Sequence, residues 1–299
     1  MCVANRAFSL VELSIVLVIL GLLTGGILTG QSLIESATMR RQLADIATLQ
    51  SATLSFRDKY MAIPGDMPIA QRFWAATTEP DRVNNGNGNG QIDNHNSTPI
   101  TPCDINTPVT GLYNSPETAN FYDHLAMSGI YNFPAYDAGV RSSSAPPVTN
   151  VVFPQLRFQS RGSTSDAAPG GVLNPQYLGV LYVPGCQHIS SGNKITLGLF
   201  GGNGVVVSAG QSAGINPWEA EYFDTKLDDG MPRSGKVAIA NPNSSYIYRN
   251  ITPSGPDQTP CAMWGGTTNT AYRTENSLHI GGGGIPLTRG CALLIDAGF

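Results

Sequence analysis

The sequence predicts an α+β fold in which one long N-terminal helix packs on a head made of a mostly antiparallel β-sheet with long loops. Three observations lead to this prediction. No proline interrupts residues 8–63, and that stretch follows a helical period. Later apolar runs are short and are bounded by Gly, Pro or Asn, which is typical of strands. The 299 residues include 34 Gly and 21 Pro but only 13% charged residues, a composition that favours turns over surface helices.

The first half of the predicted helix is an apolar segment, residues 8–28, with the sequence FSLVELSIVLVILGLLTGGIL. About 21 residues are enough to cross a bilayer as a helix. Glu12 is the only charge inside it, and a carboxylate within a membrane costs a few kcal/mol, which makes Glu12 a functional candidate. A cleaved secretory signal would have a basic start, an uninterrupted apolar stretch and a small-x-small site. Here the apolar stretch holds a carboxylate and no good small-x-small site follows it. The single Arg6 before the segment weakly favours a cytoplasmic N-terminus.

The second half, residues 29–60, is amphipathic. Its apolar residues recur at steps of three and four, the period of one helix face, and they are Met39, Leu43, Ile46, Leu49, Ala52, Phe56 and Tyr60. Pro64 and Gly65 then stop the helix. We therefore expect one continuous helix over residues 8–60, whose far half packs on a head formed by residues 61–299.

The stretch Ala7-Phe8-Ser9-Leu10-Val11-Glu12-Leu13 resembles the cleavage and methylation site of type IV prepilins and type II secretion pseudopilins. The resemblance implies that a prepilin peptidase removes a leader, residues 1–7, by cutting between Ala7 and Phe8. It further implies N-methylation of Phe8 and a role for Glu12 in assembly. Gly21 also matches a glycine common in this family, whereas Ala7 stands where glycine is usual and Thr29 where many major pilins have proline.

The same resemblance implies a structural subunit rather than an enzyme. Its partners would be copies of itself, other pilins or pseudopilins, the prepilin peptidase, the assembly platform and the lipid of the bacterial inner membrane. The N-terminus would be cytoplasmic and the head periplasmic, before the subunit enters a periplasmic or extracellular filament. The net charge of −4 and the absence of any Lys/Arg run give no sign of nucleic-acid binding.

Two alternatives remain open. The large head would also suit a tip adhesin of such a filament, and the number of copies per purified filament would separate tip from shaft. The motif Gly210-Gln211-Ser212-Ala213-Gly214, after the apolar run 205–208, matches the G-x-S-x-G of serine hydrolases. That motif needs a helix directly after its turn, and residues 215–217 intervene before the next predicted helix, so the hydrolase is disfavoured.

Within the head, the sequence predicts short helices at residues 116–127 and 217–227. The predicted strands cover residues 151–158, 178–183, 195–200 and 205–208, with additional edge strands at 236–240 and 292–295. The four histidines are isolated in the sequence, and we expect structural or surface roles for them: His95, His124, His188 and His279.

A candidate calcium loop begins at Asn85. Oxygen-bearing side chains occupy alternate positions of an EF-hand-like spacing, with Gly90 at the sharp turn; they are Asn85, Asn87, Asn89, Gln91 and Asp93. Asn96 stands where a bidentate Glu is expected, which weakens the match. The alternative is a run of Asn-Gly turns, because both residues tolerate positive φ. No other cofactor is expected.

A second polar cluster lies in the segment PWEAEYFDTKLDDGMPRSG. Its carboxylates could line an ion site, and they are Glu219, Glu221, Asp224, Asp228 and Asp229. A capped helix that ends in a tight Asp-Gly turn explains the same residues and is the favoured interpretation.

The cysteines predict two disulfides in the head. Cys2 belongs to the leader, which leaves Cys103, Cys186, Cys261 and Cys291 in a part of the chain expected outside the cytoplasm. Of the three pairings that four cysteines allow, Cys103–Cys186 with Cys261–Cys291 is the simplest. Loss of such a bond typically costs about 2–5 kcal/mol. Non-reducing peptide mapping will show the pairs, and four free thiols would contradict a periplasmic or extracellular head.

Overall fold

The computed structural model describes residues 10–74, 85–92, 116–131, 156, 167–168, 172–173, 177–183, 190–200, 215, 217–232, 234–240 and 292–299. These residues form four helices and six strands, in the order α1 (Leu10–Tyr60), α2 (Ala70–Phe73), α3 (Pro116–Met127), β1 (Ala167–Ala168), β2 (Val172–Leu173), β3 (Tyr177–Val183), β4 (Gly192–Phe200), α4 (Pro217–Leu227), β5 (Val237–Ala240) and β6 (Ala292–Asp296).

α1 is one continuous helix of 51 residues, roughly 75 Å long at 1.5 Å per residue. Its predicted two halves are present. Between Leu10 and Ile34 the large apolar side chains whose burial the structure describes are exposed, whereas Met39, Ile46 and Phe56 on the far half are buried in the core. Leu43 and Tyr60 are partly buried and pack against the same core, as their spacing predicted. The helix therefore packs against the head through one face of its far half only.

The main sheet has four antiparallel strands in the order β3-β4-β6-β5, and β1 pairs with β2 as a separate small hairpin. The prediction of an α+β fold with a small antiparallel sheet is confirmed at this level. One expectation was wrong. Residues 292–295 were predicted to form an edge strand, but β6 lies between β4 and β5, with Ile195 opposite Ile295 and Val237 opposite Ile295.

Both α3 and α4 have the bounds that the sequence predicted. Each begins with a proline, whose fixed φ suits the first turn of a helix and whose missing N–H is not needed there. α2 was not predicted, because four residues carry too little periodic signal. Leu156 is buried but is not part of a strand, and the rest of the strand predicted at 151–158 lies outside the described residues.

Several other predictions also fall outside the described residues. They concern the leader with Ala7 and Phe8, the five cysteines, Asp93, the strand at 205–208 and the G-x-S-x-G motif at 210–214. These stay predictions.

The core lies where the far half of α1 meets the sheet and the short helices. Gln50 on α1 donates from Nε2 to the carbonyl oxygens of Asp296 and Ala297, both at 3.4 Å, which ties the helix to the end of β6. Phe56 is fully buried, and its ring centroid lies 4.5 Å from that of Tyr60. The head is thus organised around the wall that α1 provides.

We expect Phe56→Ala to lower the free energy of unfolding by about 3–5 kcal/mol, because it removes a fully buried ring and leaves a cavity. Leu54→Ala is the matched control on the same helix, since Leu54 is 37% exposed and should cost roughly 1 kcal/mol or less. Urea unfolding of the detergent-solubilised chain, followed by circular dichroism, measures both. Equal losses for the two variants would contradict the description of this core.

Candidate functional site

The exposed half of α1 is the first candidate functional surface. From Leu10 to Ile34, the large apolar side chains that the structure describes are each between 50% and 84% exposed. Among the described residues, α1 is the one helix long and apolar enough to cross a membrane, and its apolar window is not buried within the chain. Glu12 lies on this surface and is exposed. Soluble proteins rarely expose so large a continuous apolar area, so this half of α1 is a candidate contact surface.

Hydroxyl groups on this half of α1 are satisfied by the helix itself. Thr24 donates to the carbonyl oxygens of Leu20 and Gly21 at 2.9 and 3.1 Å, and Thr29 donates to that of Gly25 at 3.0 Å. Hydroxyl bonds of this kind to carbonyls one turn earlier need no outside partner. These residues are therefore compatible with an apolar environment, where an unsatisfied polar group would cost several kcal/mol.

The second candidate site is the segment of residues 85–92, which we call the Asn/Gly loop. Three of its backbone N–H groups donate to one carboxylate, that of Asp66, which is nearly buried. Gly88 donates to Oδ1 at 2.6 Å, Asn89 to Oδ1 at 3.1 Å and Gly90 to Oδ2 at 2.8 Å. Charge-assisted bonds of this type are about twice as strong as neutral ones. The loop is thus built around an anion supplied by the chain.

Two further side chains hold the Asn/Gly loop in place. The backbone N–H of Asn87 donates to Oε1 of buried Glu117 at 2.8 Å. Asn193 on β4 accepts from the N–H of Ile92 at 3.0 Å and donates to the carbonyl of Gly90 at 3.0 Å. Helix α3 and the sheet therefore both anchor the loop, through residues that the sequence did not single out.

The side-chain oxygens of the loop accept backbone N–H groups. Oδ1 of Asn85 accepts from the N–H of Gln71, a residue of α2, at 3.0 Å. Oδ1 of Asn87 accepts from the N–H of Asn89 at 2.9 Å, and Oδ1 of Asn89 accepts from that of Gln91 at 2.7 Å. The last two contacts join residues two apart, as in Asn-Gly turns, which is the alternative interpretation of this segment. Calcium binding stays a prediction, and it would require these oxygens to leave their N–H donors and face one centre.

His124 connects α3 to the turn that follows α1. Its Nδ1 accepts a hydrogen bond of 2.8 Å from the N–H of Gly65, and the ring is fully buried. Gly65 has a φ of +86°, and a Cβ there would meet the carbonyl oxygen of Glu117. The close approach explains why glycine occupies this turn. His124 therefore has a structural contact, as its isolation in the sequence predicted.

The third candidate is the acidic cluster of Asp224, Asp228 and Asp229, whose carboxylate oxygens lie within 4.8 Å of one another. Asp224 accepts from the N–H of Gly230 at 3.2 Å. Asp228 accepts from the N–H groups of Lys236 and Val237, the latter at 3.2 Å. The carboxylates therefore link the end of α4 to the start of β5.

Asp229 completes this turn on the solvent side. Its carboxylate accepts from the hydroxyl of Ser234 at 2.5 Å and from the N–H of Met231 at 2.8 Å. Those two bonds, the hydroxyl first, lower the pKa of the Asp229 carboxyl. Gly230 follows with a φ of +75°. The helix ending at Leu227 and the turn after it match the favoured interpretation of a capped helix with a tight Asp-Gly turn.

Comparison of the chain with protein-family models, with curated proteins and with solved structures gave no match.

We expect Gly235→Ala to destabilise the head more than Gly298→Ala. Both glycines have a φ of +75°, but a Cβ at Gly235 would meet the carboxylate of Asp228, whereas one at Gly298 would meet open space. Each variant carries the left-handed strain of about 1–2 kcal/mol. Gly235→Ala should lose about 1–3 kcal/mol more, because it displaces the acceptor of the Lys236 and Val237 N–H groups.

Urea unfolding of both variants and of the wild-type chain, in the same detergent, measures this difference. Equal destabilisation by the two substitutions would show that the Asp228 contacts contribute nothing to the stability of the head.

Proposed function

We propose that the chain is a structural subunit of a type IV pilus-like or type II secretion filament: a pilin, minor pilin or pseudopilin. The observation that carries the proposal is the form of α1. One uninterrupted helix has an apolar, exposed first half and a second half whose buried face is part of the head. A subunit that polymerises through helices needs such a rod, because the head must stay outside while the rod enters the assembly.

The exposed half has two apolar environments available to it in this function. Before assembly it lies in the lipid of the bacterial inner membrane, which its length permits. After assembly it lies in a bundle of the same half-helices from other copies and related subunits. Its internally bonded hydroxyl groups support both environments, since neither offers water to them.

Processing follows from the resemblance of the N-terminal residues to prepilins. The prepilin peptidase cuts between Ala7 and Phe8 on the cytoplasmic side and leaves Phe8 as an N-methylated first residue. The head is then periplasmic, and an inner-membrane assembly platform adds the subunit to the filament. The new α-amino group of Phe8 keeps its positive charge after methylation.

Glu12 gives the bundle its axial register. Its carboxylate lies only four residues from Phe8, so in a growing bundle it can pair with the α-amino group of Phe8 on a neighbouring subunit. Leaving one of two buried charges unmatched can cost about 3–5 kcal/mol. A shift along the axis separates the two charges but changes the apolar contacts little, so the pair selects one register.

We expect Glu12→Ala to insert into the membrane at the wild-type level but to assemble poorly. Removing the acid makes the segment more apolar, so insertion does not suffer on hydrophobic grounds. Glu35→Ala is the matched control, because Glu35 is an exposed acid on the same helix and lies just beyond the apolar segment. Each variant is expressed as the sole copy, quantified in membranes and counted in sheared filaments.

N-terminal sequencing of the membrane-extracted wild-type protein accompanies this experiment. Phe8 as the first residue and a specific loss of Glu12→Ala from filaments support the proposal. Retention of Met1 in filaments, a cut beyond residue 28, or normal incorporation of Glu12→Ala would overturn it.

A further inference from the structure

We propose that the Asn/Gly loop is a deamidation site and that Asp66 keeps it in the amide form. Three consecutive Asn-Gly pairs lie here, at Asn85, Asn87 and Asn89, and the chain has one more, at Asn203. Glycine after asparagine is the arrangement most open to this reaction, because no Cβ shields the attacking nitrogen. Nothing in the proposed filament function requires or explains this chemistry.

Deamidation involves the side-chain amide of the asparagine and the backbone nitrogen of the following glycine. The backbone nitrogen of the glycine loses its proton and attacks Cγ of the preceding asparagine. A C–N bond forms, the bond from Cγ to Nδ2 breaks, and ammonia leaves a cyclic succinimide. Water then opens the ring at either carbonyl and gives an aspartate or an isoaspartate. The net change is the uptake of one water and the release of one ammonia, with a new negative charge at neutral pH.

All three attacking nitrogens of the Asn/Gly loop are engaged as hydrogen-bond donors. The nitrogen of Gly88 donates to Oδ1 and to the backbone carbonyl of Asp66, at 2.6 and 3.0 Å. That of Gly90 donates to Oδ2 of Asp66 at 2.8 Å. The nitrogen of Gly86 instead donates to the carbonyl of Met67 at 2.8 Å. Only two of the three therefore depend on the Asp66 carboxylate.

The carboxylate opposes the reaction in two ways. Each of these two nitrogens must break its hydrogen bond to Asp66 before it can attack. A hydrogen bond to a charged acceptor is stronger than one to a neutral acceptor. The amide anion that forms would also lie next to the negative charge of Asp66, and like charges at this distance repel strongly in a nearly buried site. The Asn side chains are held as well, since Oδ1 of Asn87 and Oδ1 of Asn89 accept N–H groups two residues later and that of Asn85 accepts the N–H of Gln71.

Deamidation would loosen the loop irreversibly. The backbone N–H of Asn87 already donates to Glu117, and the next two N–H groups donate to Asp66. A carboxylate at position 87 adds a third negative charge to this small region, and an isoaspartate also lengthens the backbone by one carbon. We therefore expect the deamidated protein to melt at a lower temperature than the intact one.

The test compares deamidation at each Asn-Gly pair in wild type and in Asp66→Asn, which is close to isosteric but removes the charge. Full-length protein in detergent is incubated at mildly alkaline pH, where the attacking nitrogen ionises more readily. Digestion and mass spectrometry then follow the amide-to-acid mass change at every site. Asn203, a fourth Asn-Gly pair that lies outside the described residues and far along the chain from the Asn/Gly loop, serves as the internal reference for the deamidation rate.

We expect Asn87 and Asn89 to react on the order of tenfold to a hundredfold faster in Asp66→Asn, given the strength of bonds to charged acceptors. Asn85 should accelerate less, because the nitrogen of Gly86 donates to the carbonyl of Met67 and not to Asp66. A second arm incubates wild-type protein in guanidinium, where all four sites should react at similar rates.

Equal rates at Asn87 and Asn89 in native and denatured wild type would overturn the proposal, as would unchanged rates in a folded Asp66→Asn. If circular dichroism shows that Asp66→Asn is unfolded, the comparison of native and denatured wild type decides the outcome alone.

Discussion

The burial of one face of α1 in the head is the constraint on which the rest of the structure depends. Met39, Ile46, Leu49 and Phe56 are buried on this face, and each such side chain contributes about 1.5–3 kcal/mol. The helix cannot rotate about its axis without exposing them. Its first half is therefore fixed in direction by contacts made entirely in its second half. A rod that is rigidly oriented by the head can position an exposed apolar surface far from it.

Two acidic residues near helix ends each accept several backbone N–H groups from a neighbouring segment. Asp66 follows α1 and accepts hydrogen bonds from N–H groups of the Asn/Gly loop. Asp228 follows α4 and accepts them from N–H groups at the start of β5. Glycines at positive φ bring the backbone close enough in both cases. In a chain with few charges, carboxylates placed in this way satisfy loop N–H groups that would otherwise be costly to remove from water.

The helices could be predicted from local sequence patterns, whereas the contacts between distant segments could not. The bounds of α3 and α4 could be predicted because a proline, an apolar period and a following turn all lie within a dozen residues. Two sets of contacts join segments far apart in the chain: those of Asp66 with Gly88 and Gly90, and that of Asn193 with Ile92. Sequence spacing therefore does not predict these contacts. The central position of β6 in the sheet was not predicted for the same reason, since an apolar run of five residues indicates a strand but not the strands next to it.

β6 follows both of its neighbours in the chain, because β4 ends at Phe200 and β5 at Ala240, while β6 begins at Ala292. During synthesis or export, β4 and β5 therefore emerge with a gap between them that only a much later segment fills. The same segment supplies the carbonyl oxygens that accept from Gln50 on α1. A chain interrupted between β5 and β6 would carry the complete apolar half of α1, but its sheet would lack the strand that joins β4 to β5. The integrity of the head therefore depends on the segment Ala292–Asp296.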